Sequence, residues 1–158
     1  DCCYDGSLLA LQKHIKKAKY LLGSIHALSS LQNPEPAMKE AEAEFLALAG
    51  KLVRSGIDVL AHPFRVFSRK SMEAPQSLYD PLVKMLHSAK VSAEVNFHTQ
   101  NPDPEFYRRC LEGGVKLVLG SDAHNLYEVG EFTPHLALLK KCGIAGDPGD
   151  IIFKPNIS

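Results

Sequence analysis

Apolar residues along this chain fall into two alternating kinds of run. Four short β-leaning stretches, 20–25, 57–61, 91–97 and 115–119, are separated by longer segments whose apolar side chains recur at helical spacing. The spacing predicts helices over 7–18 (Leu8, Leu11, Ile15 and Ala18 on one face), 36–54, 78–89, 104–112 and 133–142. Pro36 and Pro104 open two of these, and Gly56 and Gly143 stop two. A weaker fifth strand is predicted at Ile151–Phe153. Strand alternating with helix predicts βαβ units, hence a parallel sheet or barrel. In both architectures the chemistry gathers at the carboxyl ends of the strands.

Those ends are rich in ligand-type side chains. The first strand runs into His26, the second into His62 and the fourth into Asp122 and His124, while the third carries Glu94, Asn96 and His98. Imidazoles with a carboxylate are the ligand set of zinc, iron or manganese. If 122–124 is extended, Asp122 and His124 point the same way and face one ion. The residues alone leave two readings open, a metal site or a set of ordinary hydrogen-bonded loop histidines. His14, His87 and His135 fall in helical segments and are expected to be solvated or half-buried.

Length and charge narrow the field. The 158 residues suit one domain, read here as 1–158. Eighteen basic and eighteen acidic residues cancel, and the pI is near 7.2, which argues against a nucleic-acid or membrane-surface binder. No apolar run approaches the roughly 20 residues that cross a bilayer, and no signal-peptide pattern is present. Cys2, Cys3, Cys110 and Cys142 match neither a zinc ribbon nor a disulfide framework, so reduced thiols in a cytoplasmic protein are expected.

The segments 23–26 (GSIH), 58–63 (DVLAHP), 93–96 (AEVN) and 120–124 (GSDAH) resemble, in order and rough spacing, the polymerase and histidinol phosphatase (PHP) superfamily, most closely its histidinol-phosphatase-like branch. The resemblance covers about residues 18–145, and the last segment, with Glu128-Val129-Gly130 behind it, is the most specific. It implies a distorted TIM-like barrel of seven βα units with up to three divalent ions (zinc, manganese, iron or magnesium) at the strand ends. It places His26, His62, Asp122 and His124 among the metal ligands. Glu94 and Asn96 match a family motif and are expected beside the ions rather than on them. His98 matches no family ligand position and is expected to support a ligand or face the substrate.

The family's His-x-His pair and early βα units have no counterpart here, so the chain resembles the carboxy-terminal part of such a domain. Its start at Asp1 makes a fragment or a cleaved piece the favoured explanation. A second chain completing the barrel, or a degenerate member, are the alternatives. The missing half or a partner chain is expected to cover open sheet edges.

The implied activity is hydrolysis of a small, histidinol-phosphate-like phosphomonoester by metal-activated water. Asp122 or His124 would assist proton transfer. Arg65 suits bidentate phosphate recognition, while Arg69 and Lys70 read as solvated loop charges. A metal-binding but inactive module, and a nuclease-like activity that the neutral charge disfavours, are the alternatives.

Overall fold

The computed structural model describes residues 18–33 and 35–154. Cys2, Cys3, His14 and nearly all of the helix predicted over 7–18 lie outside them. Four strands form one parallel sheet in chain order: β1 (Leu22–Gly23), β2 (Val59–Leu60), β3 (Ser92–Asn96) and β4 (Leu117–Gly120). Helices α1 (Met38–Arg54), α2 (Arg65–Ser68), α3 (Tyr79–Ala89), α4 (Pro104–Glu112) and α5 (Thr133–Lys141) fill the connections and follow β4. This is the α/β alternation the apolar pattern predicts, with strands of only two to five residues.

The helices form where an apolar stripe meets a stop signal. In α1, Ala41, Phe45, Leu48, Ala49 and Leu52 are buried at helical spacing, and Gly56 follows with φ 85°. α4 starts where Asp103 caps it, accepting a hydrogen bond from the Glu105 amide at 2.9 Å ahead of Pro104. α2 forms where the apolar pattern predicts no helix. Phe64 and Phe67 drive it inward: Phe64 packs against Phe45 and Phe106 with ring centroids 5.4 and 4.8 Å apart, and Phe67 packs against Phe45 at 5.6 Å. Such pairs add about 0.5–1.5 kcal/mol beyond the area they bury. Arg65, between them in sequence, is held to one place as a result.

Alternation along β3 sends Ala93 and Val95 into the apolar core. Ser92, Glu94 and Asn96 face the other way and are buried as well. The fold therefore has a second, polar interior on the far side of the sheet from that core. Ile151–Phe153 forms a single parallel bridge to Leu117, with the Phe153 amide donating to the Leu117 carbonyl at 2.8 Å. At the opposite edge Leu22 of β1 is 54% exposed.

One expectation about histidines fails. His135 is 2% exposed, because Phe97 and Phe132 pack edge-on against its ring at 5.0 and 5.2 Å and its Nε2 sits 3.0 Å from the Gly120 carbonyl. Cys110 and Cys142 are buried free thiols. No described helix is long and apolar enough to cross a membrane.

Candidate metal centre

The residues beyond the carboxyl ends of the four parallel strands build the polar site. After β1, the loop to His26 continues into a turn locked by Glu44 of α1, whose carboxylate accepts from the Ser29 and Ser30 amides at 2.8 and 2.9 Å. Leu28 and Leu31 pin the same turn into the core. After β2, His62 adopts φ 32°, a left-handed conformation that few non-glycine residues take. Its amide is captured by Glu94 of β3, whose Oε2 accepts at 2.7 Å. The two loops bring His26 Nε2 and His62 Nε2 to 3.2 Å, with the rings stacked 5.0 Å apart.

Both imidazoles are biased toward the neutral form that binds metal. Burial, then the Arg65 charge and His26, pull His62 down to about 4. Burial, followed by Arg69 and Arg65, lowers His26. Asp122 is close enough to both to oppose the shift. Two nitrogens about 2.1 Å from one ion at a tetrahedral angle lie roughly 3.4 Å apart. The observed pair is close to that spacing, and His62 Nδ1 is buried without a hydrogen bond.

Arg65 crosses the centre of the site. It is 3% exposed, and its Nη2 donates to Asn96 Oδ1 at 2.7 Å and to Asp122 Oδ2 at 2.5 Å. Burial works against ionisation of Asp122, but the hydrogen bond and charge of Arg65 outweigh it and hold the carboxyl below its usual range. Asn96 Oδ1 also accepts from the His98 amide at 2.8 Å, so one side chain orients both Arg65 and His98. Burial raises the Glu94 carboxyl against hydrogen bonds from Asn96 and His62. Arg69 and Lys70 are exposed.

The segment after β4 differs from its expected shape. Asp122 has φ 50°, so 122–124 is not extended and the two side chains part. The Asp122 carboxylate goes to Arg65, while His124 Nδ1 lies 2.7 Å from the Asp122 carbonyl and its ring stacks on His98 at 4.1 Å. Asn125 folds the next turn by accepting from the Tyr127 and Glu128 amides at 3.1 and 3.2 Å. Glu128 is thereby returned to His124 and accepts its amide at 2.7 Å. One ligand atom from each of His98, His124 and Glu128 lies within 4.8 Å of the others, a group that can hold a metal ion.

The four expected ligands thus separate: His26 pairs with His62, Asp122 with Arg65, and His124 stacks on His98, which is not among the expected ligands. In the sequence Glu128 stands out only as part of the motif behind His124. The signal that finds it is Asn125, whose side chain reverses the chain so that a residue four positions after His124 faces back. A cavity of about 500 Å³ is lined by Phe64, Met72, Glu73, Tyr79, Gln100 and Asp103 among others, with none of His26, His62, Arg65, Asp122 or His124 in its wall. Its wall is tied to the site by Gln100, which donates to the Asn96 carbonyl at 2.8 Å.

No protein-family model matches the chain. It is similar to a "Probable phosphatase" of Acetivibrio thermocellus, 28% identical over 98% of this chain and 60% of that protein. It is also similar to the "Probable phosphatase Teth514_1060" of Thermoanaerobacter sp. strain X514, 24% identical over 90% of this chain and 57% of that protein. The chain therefore spans somewhat over half the length of the relatives it matches. Relatives named as phosphatases, an α/β parallel sheet and a histidine-rich strand edge able to take a metal ion define the class of protein this is similar to.

Proposed function

We propose that the chain is the carboxy-terminal part of a PHP-type barrel and carries part of the centre of a cytoplasmic, metal-dependent phosphatase acting on a small phosphomonoester. The feature that supports this reading is the position of His26, His62, Asp122 and His124 in the loops beyond adjacent parallel strands, next to a face where Glu94 and Asn96 are buried. Strands that follow chain order without reversal suit a barrel wall better than a doubly wound sheet. The likeness to proteins named probable phosphatases supports the reaction class.

In this reading His26, His62, Asp122 and His124 hold divalent cations, and His98 with Glu128 adds a further group on the outer side. The ions would supply Lewis acidity and lower the pKa of a water molecule. Asp122 and His124 are the residues at the reacting centre that handle the proton passing to the leaving oxygen. Arg65 and His98 face the phosphate, with Asn96 fixing both. The cavity lined by Gln100 receives the organic part of the ester. Its size fits a small alcohol of the histidinol kind. The rest of the barrel wall, with its ligands, comes from chain beyond these residues or from a partner, pairing at the β1 edge that Leu22 leaves exposed.

The test is release of inorganic phosphate from p-nitrophenyl phosphate by metal-stripped protein resupplied with Mn2+, Zn2+, Fe2+ or Mg2+. Release that depends on the added metal is the expected result. Absence of turnover despite bound metal would favour a second reading, an incomplete metal-binding module. That reading draws on the chain's spanning only 57–60% of its relatives.

A further inference from the structure

A buried arginine cannot discard its charge, since the guanidinium stays protonated in proteins. Arg65 is 3% exposed, and Asp122 supplies the carboxylate in contact with it, at 2.5 Å. One donor of this pair is idle. Arg65 Nε is buried without a hydrogen-bond partner, although Arg65 Nη2 donates to Asn96 Oδ1 at 2.7 Å. Arg65 is thus a buried cation with one shared carboxylate and one unused N–H group, a donor that an anion can satisfy.

The same carboxylate is wanted twice. In the reading above, on which this inference rests, Asp122 is a ligand of a divalent cation. We infer that Arg65 and the divalent cation compete for Asp122, and that metal binding converts Arg65 into the receptor for a tetrahedral oxyanion. Without metal, Arg65 neutralises Asp122. When an ion draws Asp122 away, a buried guanidinium is left without its counter-charge, which is the costly half of a broken buried pair. An oxyanion of the phosphate class removes that cost by accepting from the Arg65 Nε and Nη groups, the bidentate geometry arginine favours. Metal and phosphate then bind cooperatively through a residue that touches the phosphate and the ligand, and not only through a bond between ion and phosphate.

Reciprocity makes this measurable from either side: the factor by which phosphate tightens metal equals the factor by which metal tightens phosphate. Calorimetric titration of the metal-free full chain with Mn2+, with and without inorganic phosphate, is compared between wild type and Arg65→Gln. In wild type, phosphate is expected to tighten Mn2+ by roughly tenfold or more, within the usual range of coupling. In Arg65→Gln, Mn2+ alone is expected to bind several-fold more tightly than in wild type, because its competitor is gone, and the tightening by phosphate should largely vanish. Equal tightening in both proteins would mean that the ion alone carries the coupling, and the inference would be wrong. A Mn2+ affinity in Arg65→Gln that is unchanged or weaker would also overturn it.

Loss of fold in that variant is covered by a measurement on the unaltered chain. The Nε–H resonance of Arg65 in a 15N spectrum should move when phosphate is added with Mg2+ and stay in place with phosphate alone. A shift with phosphate alone, or none with both, overturns the inference while leaving the metal site standing. Failure of wild type to bind Mn2+ at all overturns the metal-site reading and this inference together.

Discussion

The backbone amide of His62 donates to Glu94 Oε2 across the β2–β3 pair at 2.7 Å, and this bond holds His62 in a left-handed conformation at φ 32°. Such conformations cost about 1–3 kcal/mol and persist where the surroundings over-determine them. Glu94 is that determinant. Glu94→Ala leaves the buried His62 amide without an acceptor and should lower stability by about 1–3 kcal/mol, while Glu94→Gln, which keeps an acceptor oxygen, should lose less. Urea unfolding of the three proteins checks the order. Equal stability of Glu94→Ala and wild type would show that water replaces the carboxylate.

Gly120 is the complement of Glu94. A Cβ on Gly120 would clash with the Glu94 carboxylate, so the carboxylate passes over this position only because no side chain occupies it. Gly120→Ala should displace Glu94, cost about 1–3 kcal/mol as overpacking does, and weaken metal binding through His62. Thermal melts with and without Mn2+ would read both effects. A variant that melts like wild type and retains metal affinity counts against the proposed link.

Asp122→Asn removes the carboxylate partner of a buried arginine. Activity should fall by orders of magnitude, as expected of a ligand and proton-handling residue. Stability should also fall, by about 1–3 kcal/mol, because Arg65 is 4% exposed and its uncompensated charge is poorly solvated, while Asp122 at 32% exposure lets water soften the loss. From sequence alone, a change in activity with nearly unchanged folding is expected. The buried Arg65, whose burial no sequence pattern announces, adds the folding cost. Chemical denaturation of Asp122→Asn beside wild type decides between them.

The imidazole pair predicts a pH dependence of the metal-free fold. His62 is lowered from 6.5 to about 4, so below pH 6.5 the unfolded chain binds a proton that the folded chain refuses. Stability is therefore full above pH 6.5 and declines as pH falls toward 4, by on the order of 3 kcal/mol, the size of a shift of this kind. His26, also lowered, adds in the same direction. His62→Gln should flatten the slope between pH 4 and 6.5 in guanidinium titrations, whatever it does to the absolute stability. An unaltered slope would place the titration elsewhere.

Much of the fold was legible in the order of the residues. The helices at 38–54, 79–89, 104–112 and 133–141 lie within a residue or two of their expected bounds, because each has a strong apolar stripe and a proline, glycine or aspartate at its end. Parallel pairing was legible from the alternation, and the strand ends that carry His26, His62, Asp122 and His124 followed from it. What only the tertiary structure decided is how those side chains group. A left-handed residue reverses direction locally, and no periodicity announces it, so Asp122 and His124 part where an extended segment would have aligned them. Burial is a property of the assembled layers: Arg65 is interior because Phe64 and Phe67 on either side enter the aromatic core, and His135 is interior because Phe97 and Phe132 close over it. Glu128 reaches His124 only through the turn that Asn125 folds. The sequence determines which chemistry is present and at which edge of the sheet. The packing decides which carboxylate meets an arginine and which imidazoles meet each other.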